Sequence, residues 1–438
     1  MPSPPSDLAG WLAYLERLHP KAIAMGLERV NQVKNALQLN PTFPIITVAG
    51  TNGKGSTCAM LEAILTHAGH KVACYTSPHL LHYNERVRVA CHNASDDELC
   101  RAFAAVEAAR GAVALTYFEF GTLAAMWHFM HSEVDVAVLE VGLGGRLDAV
   151  NVFDPSCAVI TCVDIDHTDF LGNTRDSIGF EKAGIYRGGV AAICGDDNPP
   201  QTVVARAQEI GADYQKIGTH FGFTEHDDKW DFWSHTPSPA SARGLGRGEM
   251  QALSPAVQNL PKPLLTGHFQ LSNAACALAA LQALPLGVDE EAMRAGLLET
   301  TLQGRFQQIA EQPEVIVDVA HNPHAAQSLA QNLSQQPGSG KTIAVFAMLA
   351  DKDMAGVVRA LQSEIDIWVV AGIQQGRGAG HEALAQIVRG VLPQATIIVC
   401  ETVTAAYTQA CRSAAENDRI VAFGSFYTVA DVLRVSLN

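Results

Sequence analysis

The fold class predicted by this chain is an α/β protein: a mainly parallel P-loop-type sheet domain with an antiparallel β region, followed by a smaller Rossmann-like α/β C-terminal domain. Three observations predict it. Short apolar runs alternate with helix-length segments, the rhythm of a parallel sheet covered by helices on both faces. Residues 45–57, IITVAGTNGKGST, pass from an apolar stretch through a glycine-rich turn into helix-forming sequence, the order that builds an anion cradle from backbone N–H groups. The rhythm breaks between about 214 and 265 and resumes near Arg305 as a second alternating series.

In chain order, strands are expected at 45–49, 71–75, 134–139, 157–162 and 190–194, each short and apolar enough to be buried on both faces. The stretch TYFEFGTLAAMWHF reads as the start of an amphipathic helix with aromatics turned inward. The alternating aromatics of KWDFW (Trp230, Phe232, Trp233) suggest an antiparallel hairpin region within 214–265, with a mobile loop at roughly 236–250 where the chain reads SPASARGLGRG. Helical pattern returns over 268–284 and 289–299. The second series offers strands at 315–318, 342–347, 366–370, 396–399 and 419–423, each followed by a helix-sized segment. This organisation gives a first domain over 1–300, a hinge at 301–304 and a second domain over 305–438.

Composition limits the function. At 438 residues the chain is long enough for two or three domains of about 100–200 residues each. Its formal charge of -15 argues against nonspecific binding to nucleic acid or an anionic membrane, since both depend on excess lysine and arginine. Any anionic ligand must then be held by a local site. No apolar run approaches the roughly 18 residues that span a bilayer. The ten cysteines are scattered without zinc-site spacing and read as reduced core residues, which together suggest a cytoplasmic protein.

The glycine turn is a variant phosphate loop. Val48 stands where the usual pattern has glycine, and Gly55 separates Lys54 from Ser56. Gly50, Gly53 and Gly55 supply permissive backbone, Lys54 a point charge, and Ser56 or Thr57 a hydroxyl for magnesium. The alternative is a glycine-rich strand-to-helix turn with a solvated lysine. Two further polar turns follow apolar strands: EVGLGGRLDAVN begins with Glu140 and brings Gly142, Gly144 and Gly145, and VDIDHTDFLG carries His167 between acidic neighbours. If these strands are adjacent, a carboxylate, an imidazole and the loop hydroxyl could share a magnesium-type ion. A surface role for Glu140 and a turn-capping role for His167 are the competing readings.

Ten collinear stretches from near residue 26 to near 432 resemble the Mur ligase superfamily, and within it the branch acting on folates: TVAGTNGKGST, YTSPHL followed by ERVRV, TYFEFGTLAA, LEVGLGGRLDAVN, DHTDFLG, EKAGIYR, GRFQ, DVAHNPHAA, MLADKDM and GSFYTVADV. The resemblance implies an ATP-dependent amide ligase. It would phosphorylate the carboxylate of dihydropteroate or a reduced folate and let the amino group of L-glutamate displace phosphate. Such chemistry requires ATP and Mg2+, because a carboxylate is a poor electrophile until its oxygen becomes a leaving group.

By match to that family, Gly50, Thr51, Asn52, Gly53, Lys54, Gly55 and Ser56 form the ATP loop, and Ser77, Glu140 and His167 are magnesium ligands, with Ser56 as a further hydroxyl. Lys182 corresponds to a lysine that can carry a CO2-derived carbamate; an unmodified lysine pairing with Asp166, Asp169 or phosphate is the alternative. Substrate residues would be Gly26, Leu27, Glu28 and Arg29; Thr116, Tyr117, Phe118 and Glu119; and Leu147, Asp148 and Ala149. Tyr117 or Phe118 could stack on a pterin whose N–H donors meet Asp148 or Glu119, although core packing competes for Phe118 and Phe120. In the second domain, Arg305 and Asp318 would reach ATP across a cleft, Asn273 would contact the adenine side, and His321 would hold the acyl phosphate or the turn. The resemblance also allows a monovalent cation and favours a monomer with small-molecule partners only. Two departures stand out, the SPASARGLGRGEM stretch and the acidic Asp164 and Asp166 ahead of His167. The competing enzyme reading is a UDP-muramyl peptide ligase, and a competing class is a nucleotide-binding regulator without ligase activity.

Overall fold

In the computed structural model, residues 5–21, 23–235, 255–267, 269–336, 338 and 340–437 are described. They divide into two compact units, the first made of Met1–Ser77, Tyr83–Leu264 and Gln270–Thr301, the second of Pro78–His82, Leu265–Phe269 and Leu302–Asn438.

The first unit holds β1 (Ile45–Ala49), β2 (Val72–Tyr75), β3 (Val87–Val89), β4 (His92–Asn93), β5 (Val136–Glu140), β6 (Cys157–Ile160), β7 (Ala191–Cys194) and β8 (Asp213–Lys216). These form one sheet in the order β4-β3-β2-β5-β1-β6-β7-β8. All pairings are parallel except those of β3 and β4, which run antiparallel at one edge. The central strands β1, β2, β5, β6 and β7 are buried at every position, which is why they read as continuous apolar runs rather than alternating ones. The order β2-β5-β1-β6 sets four carboxyl ends side by side. Ser77, Glu140, the Gly50–Ser56 loop and His167 all follow those ends, the position where open α/β sheets bind ligands.

The antiparallel region is a three-stranded sheet, β9 (Phe221–Glu225), β10 (Lys229–Ser234) and β11 (Pro255–Pro261). Trp230 and Phe232 are fully buried, as the period-2 alternation of KWDFW requires. The expected loop at 236–250 lies outside the described residues.

The second unit carries β12 (Gln307–Glu311), β13 (Glu314–Asp318), β14 (Thr342–Phe346), β15 (Ile367–Gly372), β16 (Thr396–Thr402) and β17 (Arg419–Phe423), in the order β12-β13-β17-β14-β15-β16. Only β12 pairs antiparallel. Phe346, Trp368 and Phe423 meet within it at centroid separations of 5.1–6.1 Å.

Several elements depart from expectation for identifiable reasons. β3, β4, β8 and β12 depart from the sequence expectation: β3 and β4 are three and two residues long, QQIAE of β12 is too polar to signal a strand, and polar DYQK of β8, at the start of the stretch expected to be antiparallel, pairs parallel with β7 as an edge of the main sheet. The strand expected over 157–162 stops at Ile160, because Thr161 and Cys162 leave the ladder to bind the glycine loop. The ten cysteines are all free thiols, yet Cys91 and Cys411 are exposed rather than core residues.

Candidate active site

The glycine loop is built by close approach. Gly53, the N-cap of the helix Lys54–His67, has φ 84, and a Cβ there would stand 2.3 Å from Oδ1 of Asn273. Gly50, at φ +150, would place a Cβ 1.8 Å from Oγ1 of Thr161. Neither position admits another L-residue without rearrangement. A four-residue strap after β6 then clasps the loop. Thr161 Oγ1 donates to the Asn52 carbonyl at 2.5 Å and the Ala49 carbonyl at 3.3 Å. The Thr51 N–H donates to the Cys162 carbonyl at 2.9 Å, and the Asn52 N–H to Cys162 Sγ at 3.3 Å. Thr51 Oγ1 and the Asp164 backbone exchange two bonds, at 3.0 and 2.9 Å.

Lys54 does not trail into solvent. Its Nζ donates to the carbonyls of Gly50 at 3.0 Å and Thr51 at 3.3 Å, so the ammonium crowns the loop. The helix behind it has glycine as its N-cap and so no side-chain cap, and its N-terminal end carries the positive pole of the helix dipole. Asn273 is buried and fixed by donating from Nδ2 to Gln270 Oε1 at 2.9 Å, with its own Oδ1 against Gly53.

The candidate metal ligands follow strands that neighbour β1 in the sheet. Glu140, buried at the end of β5, accepts from the Ser77 N–H at 3.0 Å, which joins two of the sequence-nominated residues. Ser56 is buried, and Oγ1 of the adjacent Thr57 has no hydrogen-bond partner. His167 has left-handed backbone, φ 52, and N-caps the short helix Thr168–Leu171 through its backbone, with no side-chain cap bond. Its imidazole is therefore not used as the cap. The acidic neighbours serve their own turn: Asp164 accepts from Ile165 N–H and Asp166 from His167 N–H, each at 2.8 Å. Among the described residues no group of three or more His, Cys, Asp or Glu side chains converges. By its chemistry a donor set of hydroxyl, carboxylate and imidazole fits an ion that takes much of its coordination from phosphate and water, as Mg2+ does.

Lys182 is only 4% exposed. Burial, and then the nearby Lys54 ammonium, pull its amine down to about 7, so near neutrality a large fraction is uncharged.

The substrate candidates separate into distinct environments. Arg29 Nη2 binds Glu119 Oε1 at 2.7 Å, and Glu119 also completes a capping box with Thr116 at the start of the helix Tyr117–Met130. Glu119 is thus engaged by protein groups. Phe120 is core, packed on Trp11 and Phe103, whereas Phe118 is half-buried, 5.9 Å from the Tyr75 ring, with its edge against Gly142. Asp148 is buried and accepts from Leu143 N–H at 2.8 Å and Val150 N–H at 3.0 Å; burial pushes its carboxyl up to about 6 despite these bonds. Leu147 is half-buried and Ala149 buried beside it, and of the GLER stretch Gly26, Leu27 and Arg29 are half-buried while Glu28 is exposed.

In the second unit, Arg305 lies over the Phe426 ring at 5.3 Å. Asp318 ends β13 and accepts from Phe306 N–H at 2.8 Å and Ala320 N–H at 2.7 Å; desolvation raises its carboxyl, opposed by Arg305. His321 Nδ1 lies 2.8 Å from the Val319 carbonyl, and its ring centroid is 6.2 Å from that of Phe426.

Sequence reasoning missed Thr161, Cys162 and the residues that hold their turn, Asp196 and Arg175. Asp196 Oδ2 accepts from Val163 N–H and from Arg175 Nη2, both at 2.8 Å. The available signal was a threonine and a cysteine closing an apolar run just before an acidic turn, which reads equally well as strand.

A glycine-rich strand-to-helix loop at the carboxyl edge of a parallel sheet, with a buried carboxylate at the end of the neighbouring strand, is the arrangement of a nucleotide-dependent enzyme. The Mur ligase middle-domain model matches residues 48–281 and the Mur ligase glutamate-ligase-domain model residues 304–426, and the chain belongs to the Mur ligase family. Its relatives there are bifunctional folate ligases. It is 44% identical over 435 residues to the dihydrofolate synthase/folylpolyglutamate synthase of Escherichia coli K12, covering 99% of this chain and 96% of that protein. The structure of E. coli FolC in complex with DHPP and ADP matches with a TM-score of 0.90 at 44% identity, covering 99% of both chains. A bifunctional folylpolyglutamate synthase/dihydrofolate synthase with Mn, AMPPNP and L-glutamate bound matches with a TM-score of 0.87 at 43% identity over 100% of both.

Proposed function

We propose that this chain is an ATP-dependent amide ligase that adds L-glutamate to dihydropteroate and to the glutamate tails of reduced folates. In the first step a substrate carboxylate oxygen attacks the γ-phosphorus of ATP, the bond to the bridging oxygen breaks, and ADP leaves an acyl phosphate. In the second, the glutamate amine attacks the acyl carbon, loses a proton, and expels phosphate as the amide forms. The observation that carries this reading is the clasped loop: Gly50 and Gly53 are fixed against Thr161 and Asn273, with Lys54 above them. Preorganised donors of this kind stabilise charge that develops during transfer.

Within that reading, Gly50–Ser56 cradles the phosphates, Lys54 offsets the charge growing on the γ-phosphoryl group, and Asn273 orients the adenine side. Arg305 forks onto phosphate oxygens, Asp318 accepts from the ribose hydroxyls, and His321 steadies the acyl phosphate. Ser77, Glu140 and His167, with Ser56, would hold magnesium; when bound, the ion supplies Lewis-acid neutralisation of phosphate charge. Lys182, once neutral, adds to CO2 with release of a proton, and the resulting carbamate anion faces the metal. Phe118 stacks on the pterin and Asp148 accepts from it, while Gly26–Arg29, Thr116, Tyr117, Glu119, Leu147 and Ala149 shape the pocket. A monovalent cation completes the charge balance. Residues 1–300 and 305–438 act as separate domains hinged at 301–304. A monomer in the cytoplasm, where thiols stay reduced and ATP is supplied, fits ten free cysteines.

Mass analysis of products from dihydropteroate, and separately from a reduced folate monoglutamate, tests the proposal. Addition of one glutamate to the first and of further glutamates to the second is expected. Unchanged substrates with purified, folded protein and ATP would refute it.

A further inference from the structure

We propose that Arg86 is an additional substrate-binding residue whose guanidinium grips the carboxylate on which the acyl phosphate forms; this rests on the ligase reading above. The stretch NERVRV contains two arginines with different fates. Arg88 turns into a buried pair with Glu62, donating from Nη2 at 2.7 Å and from Nε at 2.9 Å. Arg86 ends the 3-10 turn Tyr83–Arg86, is half-buried, and sets its guanidinium over the rings of Tyr83 at 5.4 Å and Tyr117 at 5.6 Å.

Its place in the fold is fixed on two sides. Its carbonyl accepts from the Thr76 N–H at 3.0 Å, and the next residue, Ser77, donates to Glu140 at 3.0 Å. Arg86 is thereby tethered one residue from the candidate metal pair. On the other side, Tyr117 opens the helix that carries Phe118, and Phe118 packs 5.9 Å from Tyr75. Gly121 lets the two phenols pack against this helix: a Cβ there would stand 2.5 Å from the Tyr83 hydroxyl and 3.3 Å from that of Tyr75. Burial raises both phenols, and the Tyr75 hydroxyl is itself a hydrogen-bond partner of the Arg86 guanidinium, fixing one side of its N–H edge.

Aromatic faces orient a guanidinium through its π surface, an arrangement compatible with presenting its N–H edge to an anion. The fork of that edge matches a carboxylate, whereas the pterin end already has an aromatic face in Phe118 and an acceptor in Asp148. An acceptor substrate lying along Phe118 with its carboxylate towards Ser77 and Glu140 would meet Arg86 at the reacting end.

The test compares Arg86→Met and Arg86→Gln with wild type by calorimetric binding of dihydropteroate, of hydroxymethylpterin, which lacks the carboxylate, and of ATP, together with steady-state kinetics. Both variants should bind dihydropteroate at least about tenfold more weakly, the scale of losing one charged hydrogen-bond partner. Hydroxymethylpterin and ATP should bind as in wild type. Equal loss for both pterins, or no loss for either, overturns the assignment in whichever variant folds. Failure of wild type to ligate glutamate would instead remove the underlying reading, so the two failures are distinguishable.

Discussion

Gly50 and Thr161 occupy each other's space: the Cβ that Gly50 lacks would lie 1.8 Å from the Thr161 hydroxyl, which in turn binds the Asn52 carbonyl at 2.5 Å. The loop's shape is therefore set from outside, by the end of the neighbouring strand. Thr161→Val keeps the volume but leaves the Asn52 carbonyl without this donor, a loss of about 1–3 kcal/mol. We expect KM for ATP to rise by about fivefold to a hundredfold while binding of dihydropteroate is unchanged, with Thr161→Ser close to wild type. Gly50→Ala should abolish ATP binding outright. Equal nucleotide affinity in Thr161→Val and wild type would show that the strap does not set the loop.

Lys54 is held over the loop by two carbonyls, so its charge is positioned before ATP arrives. Removal in Lys54→Ala should lower kcat about a hundredfold to a thousandfold, the effect of deleting one preorganised donor at a transition state. Single-turnover kinetics at saturating ATP measure this directly, and near-normal ligation would count against the phosphate-loop assignment.

Lys182 gives a pH signature. Its amine falls from 10.5 in the unfolded chain to about 7 in the fold, so between these values the unfolded state holds more protons. Stability should then rise with pH across that window, and wild type should gain on Lys182→Met as pH increases from about 7 towards 10.5. Thermal melts of the two proteins across this range check the sign. The same neutral amine should take up carbon-13-labelled bicarbonate to give a carbamate resonance absent from Lys182→Met.

Arg305 rests on Phe426, a contact that orients the guanidinium more than it stabilises the fold. Arg305→Ala should cut ligation strongly while shifting Tm by only a few degrees, in line with about 1 kcal/mol. Phe426→Leu should raise KM for ATP more modestly. A melting temperature far below wild type in Arg305→Ala would assign the arginine to structure instead.

Most parallel strands were legible because double-sided burial writes itself as unbroken apolar sequence, and β1, β2, β5, β6, β7, β13, β14, β15 and β17 lie where such runs occur, whereas β16 showed by its apolar centre although it is only half-buried and the polar edge strand β8 did not show. The glycine loop was legible for the same local reason. Gly53 and Gly50 need positive φ, and a glycine turn between strand and helix announces that need. What escaped depends on contacts between distant segments. Thr161 and Cys162 look like strand until the loop 110 residues earlier in the chain is seen to capture them. The Arg29–Glu119 pair joins residues 90 apart, and neither motif alone reveals that Glu119 already has a partner. The distinction between Phe118 and Phe120 likewise turns on what lies opposite: Gly142 and Tyr75 for one, Trp11 and Phe103 for the other. β12 stayed hidden because QQIAE carries no apolar pattern and is held by pairing with β13.

The most direct test of the central claim is ADP release by the purified protein in the presence of magnesium and dihydropteroate, measured with and without L-glutamate. The account predicts ADP production that depends on both dihydropteroate and L-glutamate, with one amide formed per ADP. Nucleotide turnover indifferent to the two acceptors, or ligation of a UDP-muramyl substrate in place of dihydropteroate, would contradict it.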